Sequence, residues 1–457
     1  MKKIYFASLV FLFLGFVSSS LFAQTSSSSS GTYSGIKITP EGVVSRTTNV
    51  DVGGLDRRQY GAFQNSFNSV PADVRTYSSF RCVSLNRLEK KIQENRGVVT
   101  DDMRYLAGLT RITHVFYFAE TKDIVVAGPA DGWFTTARAA NRFVRPPCEL
   151  QDLVTALRAF PPGKEGAPVV GCSIDPTEEG NARLQEFLQV NQGVVPSRRD
   201  EAQYVAGLKK SMGMQVVRVD GIPATTHAAS VLVGADYQMK LIGVGLEQWR
   251  GIQSFVDLVD ITKVSKNLLF RWYFVPDYQP IVVTEDKTAM RLVGTAVKLV
   301  GENELVLVTG ERQALSGQVD RATAGFTESF TKNYSTLANH APVFAQLQNF
   351  VDMLVCAAYI QKEDFYGKAD WKMEFLGDEK KYAVETYNAP TSIEPVVGRL
   401  IRKQSRFAPP IGGGIEIQAE NMLDAEMIQT DKDGKVAEAM ANVKIESNPT
   451  NWWWDSK

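Results

Sequence analysis

The chain has 457 residues, with 50 basic and 51 acidic side chains, a formal charge of −1, and 44% hydrophobic residues that include 24 Phe. Charge so balanced and so dispersed gives no footing for nucleic acid or an anionic membrane as partner. The apolar content excludes a disordered bulk, and the length predicts two or three domains.

Met1-Lys2-Lys3 supplies a positive start, Ile4 to Phe16 an apolar run, and Ser18 to Ala23 a small-residue exit. That is the layout of a secretory signal peptide spanning residues 1–23. Cleavage is expected after Ala23, with a cut near Ser20 as the alternative, so the mature chain starts near Gln24. Losing Lys2 and Lys3 leaves 48 basic against 51 acidic residues, a formal charge of −3. An uncleaved anchor would need roughly 20 apolar residues, and this run is shorter. The first cysteine is Cys82, so no lipidated N-terminal cysteine is on offer. The expected location is periplasmic or cell-envelope associated, with envelope proteins or wall components as partners and no membrane insertion after cleavage.

In chain order, residues 24–75, with serine at every position from Ser26 to Ser30, predict a flexible or loosely docked arm. Residues 76–195 read as a first α+β unit. There, Ser84 caps a helix with Leu85, Leu88 and Ile92 on one face, and a second helix is expected from Asp101 to Leu109. His114 to Pro129 reads as a β-hairpin, and Glu149 to Phe160 as a helix ended by Pro161-Pro162-Gly163. Val169 to Ile174 is a buried strand leading into a helix start at Asp175 to Glu179. Residues 196–318 read as a second α+β unit. Its Tyr204-Val-Ala-Gly-Leu208 echoes Tyr105-Leu-Ala-Gly-Leu109, which suggests a duplicated helix-strand unit. Arg271 to Val275 and Pro280 to Val283 repeat the hairpin style and open a β meander to about Val308.

Phe326, Phe330 and Tyr334, then Phe344, Leu347, Val351, Leu354 and Ala358, predict a helical hairpin over 319–365 that turns at Asn339 to Pro342. Val351 to Ile360, interrupted by Asp352, reads as a core helix. Residues 366–457 predict a separate β-rich unit with turns at Asp378, Pro390, Pro409 to Gly414 and Asp431 to Gly434. It closes on Trp452-Trp453-Trp454 as a frayed or docked tail. The fold class is α+β, with mixed helices and hairpins.

Cys82, Cys148, Cys172 and Cys356 permit up to two disulfides or buried free thiols. No paired Cys-x-x-Cys exists, and His114, His227 and His340 are scattered, so neither a metal nor a cofactor is expected. The chain also lacks a phosphate-binding Gly-Lys-Ser/Thr loop, a His-Glu-x-x-His pair and a Gly-x-Ser-x-Gly elbow. Asp431-Lys-Asp433-Gly434 fails the register of a calcium loop and reads as a hairpin turn.

The most structured polar motif is Pro223-Ala-Thr-Thr-His227 followed by Val231-Leu-Val-Gly-Ala-Asp-Tyr-Gln-Met-Lys240. With Tyr105 to Leu109, Asp123 to Trp133, Cys172-Ser-Ile-Asp-Pro-Thr177 and Arg271 to Pro276, it resembles a family of exported planctomycete proteins of unknown function. The resemblance covers roughly Ser84 to Ile360. It implies a bacterial envelope location and brings no catalytic residues.

Asp236 and Lys240, one helical turn apart, read as a surface salt bridge, and with Tyr237 they are the binding candidates. His227, just past Pro223, reads as a local hydrogen-bonding group, while His114 and His340 read as structural. Cys172, Ser173 and Asp175 sit where a strand meets a helix, a common place for nucleophiles and anion-binding amides. The catalytic candidates are therefore Cys172, Asp175 and His227, in a hydrolase with Cys172 as nucleophile and His227 as base. The first reading is a non-enzymatic binding or scaffolding protein. An enzyme requires these residues to converge in one pocket, whereas a scaffold leaves them apart.

Overall fold

The computed structural model describes residues 36–46, 66, 69–131, 145–191, 197, 199–259, 268–307, 312–314, 320–398, 411–445, 448 and 451–456. The expected signal segment and the five-serine run lie outside them. Among the described residues, twelve α-helices and two mixed sheets make an α+β fold.

The larger sheet runs, edge to edge, Ile36–Ile38, Val43–Arg46, Ser392–Ile393, Gln215–Asp220, Val170–Asp175, Ile411–Ile417, Leu268–Asp277, Ala296–Val306 and Arg312–Ala314. The smaller runs Ile428–Thr430, Ile281–Val283, Ala289–Leu292, His114–Phe118, Asp123–Ala130, Ser78–Ser84 and Trp453–Asp455. Between them lies the Pro342–Lys362 helix, started by Pro342 in its first turn and buried at every position from Val343 to Ile360. Its length and composition would suit a membrane span, yet its apolar surface is covered by protein on all sides, as a core helix requires. The helix carries one buried carboxylate, Asp352, which accepts paired bonds from Arg111 at 2.8 and 2.9 Å and another from the Tyr278 hydroxyl at 2.9 Å.

Several elements differ from the sequence reading. The helix expected over Asp101 to Leu109 stops at Arg104, because Leu106, Ala107 and Gly108 all take positive φ and turn the chain. The echoing Tyr204 to Leu208 is regular helix within Glu201–Met212, so the shared letters adopt two conformations. The strands that follow the two copies, His114–Phe118 and Gln215–Asp220, also belong to different sheets. The expected meander is divided likewise. Leu268–Asp277 pairs with Ala296–Val306 in the larger sheet, while the intervening hairpin of Ile281–Val283 and Ala289–Leu292 joins the smaller one.

The strands beyond Tyr366, expected as a unit of their own, are members of both sheets. Ile411–Ile417 is central, antiparallel to Val170–Asp175 and parallel to Leu268–Asp277. Within the expected flexible arm, Ile36–Ile38 and Val43–Arg46 form a hairpin that Ser392–Ile393 joins. Asp431 to Gly434 is a strand-to-helix turn and not a hairpin, since Asp431 accepts from the backbone N–H groups of Val436 and Ala437 at 2.9 Å each and so starts the Lys435–Asn442 helix. The Trp452 to Trp454 tail is docked. Trp453–Asp455 pairs with Ser78–Ser84, and the Arg81 guanidinium lies 4.5 Å from the Trp453 ring centroid.

Replacing Arg111 by Met should leave Asp352 charged and buried without its cation, a loss of about 3–5 kcal/mol. Chemical denaturation of the variant measures it, and a loss below about 1 kcal/mol would show that the Arg111–Asp352 pair does not anchor the central helix.

Candidate functional site

Thr226 caps the His227–Gly243 helix by accepting from the Ala229 N–H at 3.2 Å, and every residue of this helix is buried. The reason lies in what surrounds it. It packs on Val170–Asp175 and Ile411–Ile417 on one side and against the Pro342–Lys362 helix on another. Asp236 and Lys240 therefore point inward, at 0% and 1% exposure, and the surface salt bridge read from their spacing is an internal one. A helix wrapped on all sides has no solvent face for its charged residues, and i, i+4 spacing carries no information about burial.

Lys240 Nζ lies 3.1 Å from Asp236 Oδ2 and donates to the Ile174 carbonyl, also at 3.1 Å. Asp236 Oδ1 meets no hydrogen-bond donor among the described residues. Burial raises the Asp236 carboxyl above its usual range, with the Lys240 charge opposing. The space for this pair comes from the Gly412-Gly413-Gly414 run. A Cβ on Gly413 would stand 2.4 Å from Lys240 Cε and 2.5 Å from Asp236 Oδ1, distances no side chain tolerates.

Cys172, at 4% exposure, lies near enough to feel both charges of this pair. Burial raises its thiol well above the usual value, and the Asp236 charge adds to that, so the thiol holds its proton. All four cysteines are free and buried, and the disulfides the sequence allowed are not formed.

His227 belongs to a different cluster. Its Nδ1 lies 2.9 and 2.8 Å from the two oxygens of Asp152, and its Nε2 lies 3.9 Å from Glu149 Oε1. Burial disfavours the charged ring, but the Asp152 and Glu149 charges outweigh it and raise His227 to about 9. Burial also raises Glu149, whose other oxygen accepts from Gln151 Nε2 at 2.6 Å. The Tyr387 ring packs 5.6 Å from the imidazole, centroid to centroid. Glu149, Asp152 and His227 offer three ligand atoms within 4.8 Å of one another, a geometry open to a metal ion. The imidazolium is already paired with Asp152, so a metal would have to displace its proton.

The structure thus brings Cys172 to Asp236 and Lys240, and His227 to Asp152 and Glu149. His227 and Asp236 are nine residues apart along one helix, about 14 Å at a rise of 1.5 Å per residue. The charges acting on Cys172 (Asp236, Lys240 and Asp175) and those acting on His227 (Asp152, Glu149 and Glu385) share no member. Ser173 and Asp175 open onto the other face of their strand, lining a hollow of about 380 Å³ with Thr177, Glu178 and Arg218. Tyr237 is buried within its helix. His114 is buried between Phe80 and Phe116, and burial lowers it to about 3, while exposed His340 bonds the Thr336 carbonyl. Asp152 and Glu149 were not legible as partners of His227. The sequence placed them on a helix, and only the packing of two helix N-termini joins the three.

Another concavity lies elsewhere. A groove of about 1520 Å³ forms where the Glu120 and Thr121 hairpin turn, the Thr284 to Thr288 turn and the Lys435–Asn442 helix meet.

Among known families, the one described as a protein of unknown function (DUF1598) matches residues 172–255, a minor part of the chain. No curated protein and no solved structure matches. The matched stretch starts at Cys172 and includes His227, Asp236 and Lys240.

Asp236→Ala should cost about 3–5 kcal/mol by stranding Lys240, whereas Asp236→Leu combined with Lys240→Met should recover most of it. Denaturant melts of the three proteins decide this, and equal losses in single and double variants would contradict the pairing. For His227 the folded pKa of about 9 stands above the ordinary 6.5. Its stabilisation is therefore complete below pH 6.5 and lost as pH rises to about 9, a change of about 3 kcal/mol. Stability measured across that window should fall in the wild type and stay flat in His227→Gln.

Proposed function

We propose that this chain is an exported, non-enzymatic binding or scaffolding protein of the cell envelope, of the planctomycete type its motifs resemble. Export rests on the charged, apolar and small-residue layout of residues 1–23. The observation that carries the non-enzymatic reading is where the motif residues stand. Cys172, His227, Asp236 and Lys240 are each at most 4% exposed, and they divide between two buried clusters. A general base must reach its nucleophile directly or through one water, and a substrate must reach both. Burial of Cys172, the separate set of charges around it and a thiol held protonated all support the non-enzymatic reading. The same residues act well as internal fasteners. They tie the central helix layer to the larger sheet and leave the surface free for contacts, which suits a body that presents grooves and edges to partners.

Two measurements test this reading. Mass spectrometry of the protein from an envelope fraction should find an N-terminus near Gln24, and an intact Met1 would contradict export. In the folded protein none of the four thiols should react with iodoacetamide, while all four should do so in denaturant. Rapid native labelling of Cys172, together with esterase or peptidase activity abolished by Cys172→Ala, would replace this proposal with the hydrolase.

A further inference from the structure

The groove of about 1520 Å³ exceeds the usual size of a small-molecule site and has a two-part chemistry. Its floor is apolar. The outer face of the smaller sheet carries a satellite core of Cys82, Phe116, Val125 and Trp454 under the C-terminal helix, separate from the main core. Phe118, Met440 and Ile445 pack at the margin of that satellite, only half-buried, and form the groove floor with Val443.

The walls are acidic once the charges already engaged are set aside. Arg87 is held by Asp123 through bonds of 2.8 and 2.6 Å, and Asp431 is engaged at the helix start. What remains at the rim is Glu120, Glu285 and Asp286 against Lys90, all exposed. Asp286 is fixed in its turn by the Thr284 and Thr288 hydroxyls, at 2.7 and 2.8 Å, and by the Thr288 N–H at 3.1 Å. Slight burial opposes its ionisation, but these donors outweigh it and hold the carboxyl below the usual range. A local excess of two negative charges does not follow from the chain as a whole, whose formal charge is only −1. Lines of negative charge beside an adaptable apolar floor that includes a methionine suit a ligand with cationic and apolar side chains in alternation.

We infer that the groove between the two hairpin turns and the C-terminal helix binds a basic, partly apolar peptide segment of a partner protein, with Lys or Arg at the Glu120, Glu285 and Asp286 rim and apolar side chains over Phe118, Met440 and Ile445. This deepens the binding reading and rests on it. The partner's backbone lies along the groove, and its cations speed encounter and fix direction, while burial on the floor sets residence time. A partner of this kind is a positively charged tail or linker, the opposite in sign to the acidic rim it meets.

The test is fluorescence anisotropy of the full chain with three short labelled peptides, alternating lysine with leucine, glutamate with leucine, and lysine with serine. The lysine–leucine peptide should bind most tightly, and rising salt should weaken it. Glu120→Lys with Glu285→Lys should weaken it about tenfold, and Met440→Glu should do the same through the floor. All three positions are exposed or half-buried, so thermal melts should confirm that the variants fold. Equal binding of the glutamate–leucine peptide, or affinity unchanged by both the charge reversal and the floor variant, would overturn the inference. Cross-linking to an envelope fraction separates the two levels. If it persists in the groove variants while no peptide binds, the groove assignment fails and the wider binding reading stands. If the wild type neither cross-links nor binds peptide, both fail.

Discussion

The buried Asp236–Lys240 pair is the constraint around which the larger sheet is arranged. Taking two charges out of water is costly, and the cost is offset only with close geometry and further hydrogen bonds. Lys240 gains both, from Asp236 and from the Ile174 carbonyl, and the contact to Ile174 ties the helix to a strand of the sheet below. The neighbouring strand must then be thin enough to pass beneath the pair, and Gly413 supplies that thinness. Because that glycine arrives from residue 413, the C-terminal part of the chain is committed to the middle of a sheet whose neighbouring strands come from residues 170–175 and 268–277. Long-range closure of this sort raises the sequence separation that folding has to bridge.

A second polar joint complements the first. The His227 imidazolium between Asp152 and Glu149 fastens the start of the same helix to the Leu150–Ala159 helix. Asp352, bound by Arg111 and Tyr278, does the same for the central helix. Each joint places a charge where a slipped helix would leave it unpaired, so these interactions select one packing arrangement out of several that an apolar interface alone would allow. The family match over residues 172–255 covers the first joint, its strand and His227 of the second.

The legible part of the sequence was local. The Ser84 cap, the His114 hairpin and the aromatic spacing of Phe326, Phe330 and Tyr334 follow from periodicity and capping, and all are present. Pairing between distant strands is not a property of any window, so Ile411–Ile417 and Trp453–Asp455 read as a separate unit and a tail when they are sheet members. The Tyr105 and Tyr204 echoes show the converse, since nearly identical stretches follow opposite backbone choices once Ala107 is pinned in a left-handed turn. Charge spacing on a helix likewise gave the Asp236–Lys240 pair but not its burial. The groove was invisible because its floor and rim come from four separated stretches, each ordinary alone.

The central claim is that Cys172, His227 and Lys240 stand in two sealed internal joints and that the proposed binding surface is the C-terminal helix groove. Hydrogen–deuterium exchange of the full chain, alone and with an envelope fraction, tests it most directly. The account predicts that backbone amides of the His227–Gly243 helix exchange among the slowest in the protein, and that partners protect the Glu120, Thr284 to Thr288 and Lys435 to Ile445 segments. Fast exchange along that helix, or protection concentrated at Cys172 to Thr177 and Thr226 to Lys240, would contradict it and return the motif to the surface as a site of action.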